Sequence, residues 1–394
     1  MPLTRRQKRA LIGLSEPLLR VLFGAYRVAT LDLGRDLPLS PRRILVVRLD
    51  SIGDVLLSEP AISALRRRFP KARLDVVAGA AGRAILEGHP GINNVVLYEA
   101  PWHAAWRGRD VSWMRQAGPL LRVVARLRRR RYDLVCELRG DFRDIAFAAA
   151  CGARARVGSG DRGGDFFLTR NARQPTGAHH LEKAFAIASA CGAQGPVEAP
   201  RLFLSDAERS VAGDLLPQDG GRPYVAFHLG AGFPSKCLPV DRFARAAGAL
   251  AAGGARLALV GGPEDAPRAA EFKDSLSVPV IDLVGRLTVR ETAAVLERCG
   301  LFVGNDSGPM HLAAAVGTPV VAAFGPSDAG TYHPWSVPHR IVQLGLPCSP
   351  CDFVNCSKGE NLCLTGIRAE ELAQACLEML HTIQPLASGK SSGE

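Results

Sequence analysis

The chain has 394 residues, 47% of them hydrophobic, and its 49 lysines and arginines outnumber 38 acidic residues, for a formal net charge of +11 and a pI of about 9.4. This length exceeds what one hydrophobic core usually serves, so two domains are expected, and the apolar fraction excludes a disordered polymer. The charge favours nucleic acid, anionic lipid or phosphorylated ligands and does not choose among them.

Residues 1–41 form a separate basic piece. TRRQKR precedes a segment in which Leu18, Leu19, Leu22, Phe23 and Tyr26 fall at helical spacing, with Arg20 and Arg27 among them. Such a helix can lie on an anionic membrane surface or pack on its own domain; Pro17 and Gly24 weaken it. There is no A-x-A type cleavage site, so a secretory signal is not expected, and no run of 18 purely apolar residues to span a membrane. Ten cysteines in so long a chain do not suggest a secreted disulfide scaffold, and the cytoplasm fits best.

An α/β alternation starts at Arg43. ILVV at 44–47 reads as the first strand, DSIGD at 50–54 as its exit turn, and 55–69 as a helix bent at Pro60. Further strands are expected near residues 76 and 96 and at 132–138, with the tryptophan-rich stretch 101–113 left unassigned. RLRRRR at 126–131 reads as a solvated helix end, or as a surface facing lipid or a phosphorylated acceptor. ELRGDFRD at 137–144 is a strand exit leading into an apolar helix. GSGDRGGD at 158–165 lacks the flanking strand and helix of a dinucleotide fingerprint and reads as a flexible loop. A helix at 179–190 and a proline-rich junction at 193–221 follow. Strands at 223–230, 255–262 and 278–285 then open a second Rossmann-like set, with helices at 240–252 and around 290–298. LFVGNDSGPMHLAAAVGTPVVAAFG at 301–325 is a strand, turn, helix and strand, with Pro309 in the first helical turn and Gly317 as a C-cap. Parallel sheets bind ligands beyond the carboxyl ends of their strands, where Asn305, Asp306, Ser307 and Gly308 stand beside free helix N–H groups suited to a phosphate. An ordinary helix cap is the alternative.

That segment and RRILVVRLDSIGDVLLSEPAISALRRRFPKARLDVV at 42–77 resemble the two signatures of the ADP-heptose:lipopolysaccharide heptosyltransferases, over residues 42 to about 380. The resemblance implies the GT-B fold: two Rossmann-like α/β domains with parallel sheets facing across a cleft, here 42–205 for the acceptor and 206–367 for the donor. The piece 368–394 would be a helix crossing back to the first domain and a flexible tail. It also implies inverting transfer from a nucleotide sugar with no required metal, and ADP-heptose and a lipid A-core acceptor as partners. Nucleic acid is not expected, since no zinc finger, basic zipper or aromatic RNA-binding pattern occurs. Location would be the cytoplasmic face of the inner membrane.

Glycosyl transfer to an alcohol needs a base, and the resemblance places it in the pair Gly53–Asp54, with Asp54 as the catalytic carboxylate. Unaided, the residues leave Asp54 open as a helix cap. Ser51, Gly53, Arg139 and Asp141, on strand exits of the first half, are acceptor-side candidates. In the second half the resemblance assigns donor phosphates to Ser235 and Lys236, with Cys237 departing from the family pattern. Gly261 and Gly262 allow close backbone approach, Glu264 is an acidic partner for the nucleoside, and Asp306, Ser307, Gly308 and His311 hold the sugar and phosphate end. His228 is read as support, and His180 and Glu182 mark a familiar helix start. Cys348, Cys351, Cys356 and Cys363, in a loop at 348–363, can bind a structural zinc, stay reduced or form local disulfides; four thiolates would leave no open position for Lewis-acid chemistry. The readings left open are this heptosyl transfer, a transferase of the same family with another nucleotide sugar or glycolipid, and a catalytically silent nucleotide-sugar or nucleic-acid binder.

Overall fold

Short, mainly apolar runs, too short for helices and buried on both faces, make the central strands of this chain. The computed structural model describes residues 37–106, 113–218, 222–351 and 355–388. The chain divides between Glu198 and Ala199 into two units, a little before the boundary expected at 205/206. Residues 1–36 and the end of the tail, including most of the basic N-terminal piece, lie outside the described residues.

The first unit holds β1 (Arg43–Val47), β2 (Arg73–Ala78), β3 (Asn94–Leu97), β4 (Leu134–Glu137), β5 (Ala155–Gly158) and β6 (Arg170–Asn171). They form one parallel sheet in the order β3-β2-β1-β4-β5-β6. Val46 pairs with Val76 on one side and Cys136 on the other, an apolar row across the centre of the sheet. The expected helix over 55–69 is two helices, Ile52–Leu56 and Glu59–Arg68, and Pro60 sits in the first turn of the second, where its missing N–H costs nothing. Part of the unassigned stretch is a helix, Pro101–Trp106. The glycine-rich segment at 158–165 does follow a strand, β5, disguised by Arg156 within it and Arg154 just before it; Arg156 is buried and donates to the Phe167 and Ala153 carbonyls.

The second unit holds β7 (Tyr224–His228), β8 (Arg256–Leu259), β9 (Val280–Asp282), β10 (Leu301–Asn305), β11 (Val320–Phe324) and β12 (His339–Gln343). Its parallel sheet runs β12-β11-β10-β7-β8-β9. Counted from each unit's own first strand, both sheets have the doubly wound order 3-2-1-4-5-6, a closer likeness than the shared βα alternation predicts. The last helix, Ala369–Ser388, buries Leu372, Cys376 and Met379 in the core of this second unit, packed on helix Val240–Ala252. The apolar stripe of this helix is therefore used in the core of its own unit.

In a doubly wound sheet the connections leave in opposite directions from two adjacent strands, opening a crevice at their carboxyl ends. Those pairs are β1/β4 and β7/β10.

Candidate active site

At the β1/β4 crevice the chain leaves β1 through Arg48, Asp50 and Ser51 and starts the short helix that carries Asp54. Arg48 is fully buried and organises the turn. Its Nη1 donates to the Leu138 carbonyl at 2.9 Å and its Nε to the Asp54 carbonyl at 3.1 Å. Its guanidinium lies 3.0 Å from Asp50 Oδ1 and 3.6 Å from Asp54 Oδ1. Asp50 Oδ1 is an ion-pair neighbour only, since the angle makes no hydrogen bond. Ser51 donates its hydroxyl to Asp54 Oδ2. His180, at the start of helix His180–Ala190, brings Nε2 to 2.7 Å from Arg48 Nη2 and 3.3 Å from Asp54 Oδ1. The neighbouring His179 and Glu182 form the capping box that fixes this helix start.

Two carboxylates so close are driven apart in acidity. Burial pushes Asp50 up, and the Asp54 charge adds to this against Arg48 and Arg139. For Asp54 burial also acts upward, but His180, Arg48, Arg139 and the Ser51 hydroxyl outweigh it and hold the carboxyl well below the usual range. His180 is itself pushed down to about 3, by burial and then by Arg48. It is neutral near pH 7, so the arginines are the cations that hold Asp54 ionised there, and the imidazole acts through its lone pair. With a side chain 25% exposed against 5% for Asp50, Asp54 is the ionised carboxylate that a ligand can reach.

From β4 come Glu137, which accepts the N–H groups of Arg139 and Gly140 at 2.8 and 2.7 Å, and Arg139, 3.3 Å from Asp50 Oδ2. Arg139 also meets His103 Nδ1 at 2.8 Å, and His103 Nε2 stands 3.1 Å from Asp144, which accepts from Trp102 Nε1 at 2.7 Å. Ser51, Gly53 and Arg139 thus do surround Asp54. Asp141 does not join them: it caps helix Phe142–Ala150 and is held by Arg143 at 2.9 Å.

The β7/β10 crevice of the second unit is built differently. Asn305, fully buried at the end of β10, accepts from Leu238 N at 3.0 Å and donates to the Leu229 and Gly230 carbonyls, tying the two strand exits together. Lys236 Nζ donates to Asp306 Oδ2 at 2.6 Å. Ser307, the N-cap of helix Gly308–Ala315, makes no side-chain cap; its hydroxyl lies 3.2 Å from His228 Nδ1 instead. The first N–H groups of that helix are left for an anion. His311 lies buried one turn further in. His228 Nε2 stands 3.3 Å from Asp265, which also accepts from Gly262 N at 3.0 Å. A Cβ at Gly230 would run into Asp265 Oδ1, so glycine is required for this approach. Glu264 is exposed, with Gly261 and Gly262 beside it.

The four cysteines of the 348–363 loop line one cavity of about 230 Å³ together with Ser235 and Pro326. All ten cysteines are free thiols, so the local disulfides are not formed. Among the described residues no three Cys, His, Asp or Glu side chains are placed to hold a metal ion. The loop is pinned to the β11 exit, where Cys351 N donates to the Pro326 carbonyl at 2.8 Å.

Sequence reasoning missed Arg48, His103, Asp144 and Asp265. For Arg48 the available signal was a charged residue directly at the end of an apolar strand, in VVRLD, where solvation is lost and a partner is obligatory.

Two doubly wound parallel-sheet units, each with polar groups gathered at its switch point, define the architecture of the GT-B glycosyltransferases. Residues 120–361 match the model of glycosyltransferase family 9 (heptosyltransferase). The chain belongs to that family, the ADP-heptose:lipopolysaccharide heptosyltransferases. It is similar to lipopolysaccharide heptosyltransferase 3 of Escherichia coli, 26% identical over 305 residues that cover 74% of this chain and 85% of that protein. The crystal structure of a family 9 glycosyl transferase from Veillonella parvula superposes with a TM-score of 0.73 at 22% identity, covering 87% of this chain and 98% of that one. The E. coli ADP-heptose LPS heptosyltransferase II gives 0.69 at 24% identity, covering 86% and 99%.

Proposed function

We propose that this glycosyltransferase moves L-glycero-D-manno-heptose from ADP-heptose to the inner core of lipopolysaccharide, on a lipid A-core acceptor at the cytoplasmic face of the membrane. The names of the similar E. coli proteins supply the sugar and acceptor class, and the observation that carries the chemistry is Asp54, ionised and reachable at the first switch point. The acceptor oxygen attacks the anomeric carbon on the face opposite the diphosphate, its O–H proton goes to Asp54, and the C–O electron pair leaves on ADP, inverting the centre. A carboxylate as acidic as Asp54 takes the proton only late, once the attacking oxygen has become acidic by bonding to carbon. Positive charge for the departing diphosphate comes from Lys236 and the N–H groups at the start of helix Gly308–Ala315, so the chemical step uses no metal ion. Asp306 holds Lys236 in the ligand-free protein and turns to the sugar hydroxyls when donor binds.

A silent binding protein would have no use for an accessible carboxylate kept ionised by Arg48 and Arg139, which favours catalysis. The test is a panel of nucleotide sugars with defined lipid A-core fragments, read by mass spectrometry. Addition of one heptose from ADP-heptose is expected. Transfer of a different sugar would replace the donor, and no transfer from any donor would leave the binding protein.

The cysteine loop has a structural part in this reading. Metal analysis of the purified chain decides between zinc-loaded and reduced thiols, and neither state alters the chemistry at Asp54.

A further inference from the structure

The helix Trp113–Arg129 packs Val123 and Leu127 into the first unit's core, with Leu120 and Val124 against it. Its other face has no role in the transfer chemistry. At 100° per residue Ala117, Gly118, Leu121 and Ala125 form a small apolar strip in the middle of that face. Leu121 is 69% exposed, one of five large hydrophobic side chains so placed among the described residues. Arg115, Arg122, Arg126 and Arg129 flank the strip on one side and Arg128 lies at its C-terminal end, all exposed. From Trp113 to Tyr132 the sequence contains no acidic residue. Arg122 and Arg126 also line a shallow groove of about 390 Å³ with Glu99, which accepts from Ala80 N, and with Leu97, itself 48% exposed.

A solvated helix end needs neither the apolar strip nor a helix without acidic residues, and repulsion among its arginines on adjacent turns, with Glu99 the one carboxylate in the groove beside them, is unfavourable in water. An anionic lipid surface answers both features, seating Leu121 among the headgroups and the guanidiniums on phosphates. We propose that this face is a membrane-docking surface for phospholipid bilayers bearing net negative charge. It rests on the proposed function in one respect, that an acceptor anchored by lipid brings the enzyme to a bilayer.

The experiment uses the full chain with vesicles of phosphatidylcholine, with and without about 30% phosphatidylglycerol, and no acceptor. Wild type should sediment with the anionic vesicles, far less with neutral ones, and release with salt. Each arginine near the surface contributes about fivefold, so Arg122→Gln/Arg126→Gln/Arg129→Gln should lose on the order of 100-fold in partitioning. The corresponding triple lysine variant should keep it, and both should melt as wild type does. Unchanged partitioning of the glutamine variant, with binding carried by the N-terminal segment or another face, overturns the proposal, as does wild type that ignores vesicles or prefers a soluble phosphorylated oligosaccharide or an RNA. Wild type that binds anionic vesicles yet transfers no sugar overturns the proposed function and leaves the surface standing. The glutamine variant should still glycosylate a water-soluble deacylated acceptor at the wild-type rate, and loss of that activity would show damage to the site rather than to docking.

Discussion

Asp54 and Asp50 are close in sequence and opposite in character because burial prevails at Asp50, while His180, Arg48, Arg139 and the Ser51 hydroxyl outweigh it at Asp54. With Asp54 held low, the ionised form is lost only as pH falls through that lowered pKa, so the acid limb of the pH–rate profile should lie below the ordinary carboxylate value of about 3.9. Arg48→Met should move the limb upward and destabilise the fold by about 3–5 kcal/mol, because Asp50 would be left buried beside no cation but Arg139. A limb that stays in place would remove Arg48 from the control of Asp54. His180 is shifted in the same direction and has the same sign for folding, in a higher pH window. Its folded pKa of about 3 lies below the unfolded value of about 6.5, so its contribution is present above pH 6.5 and is lost as pH falls toward 3. His180→Asn should flatten the acid loss of stability in that window, measured by denaturant unfolding at several pH values. At this scale the sequence offered Asp54 as a candidate through its GD pair but not what controls it, since Arg48, Arg139 and His180 gather around it only when separate strand and helix ends converge.

Elements place the groups proposed to hold the donor. Lys236 follows β7 and Asp306 follows β10, and their contact at 2.6 Å means that neither can be removed alone without disturbing the other. A double-mutant cycle with Lys236→Ala and Asp306→Asn, read as ADP affinity by calorimetry, should be non-additive by about 0.5–3 kcal/mol. Additive losses would separate the two roles. The cysteine loop depends on a bare backbone at Gly325, where a Cβ would come to 2.6 Å from Leu364 and 3.1 Å from Cys363. Gly325→Ala should cost about 1–3 kcal/mol of stability by overpacking, seen as a lowered melting temperature. The strands and the helix at 308–315 were legible because their apolar runs are short and bounded by glycine or proline. The break at Leu57 and Ser58 was not, because apolar periodicity runs through it and only the backbone decides that Pro60 begins a helix rather than bends one.

Taken whole, the chain repeats one topology twice and gives each copy a different chemistry. The shared strand order could not be read from sequence, because the halves have no common motif and parallel pairing is fixed by long-range contacts. The two crevices could be placed, because each is signalled by polar residues at the exit of an apolar strand. In the proposed reaction the first unit supplies the proton acceptor and the second holds the nucleotide diphosphate, so binding and chemistry separate by mutation. The most direct measurement is the single-turnover rate of Asp54→Asn at saturating acceptor, beside its ADP-heptose affinity by calorimetry. If Asp54 is the base, the rate falls on the order of 10²–10⁴-fold while affinity stays near wild type. A wild-type single-turnover rate would contradict that role, and so would a rate loss matched by an equal loss of donor binding.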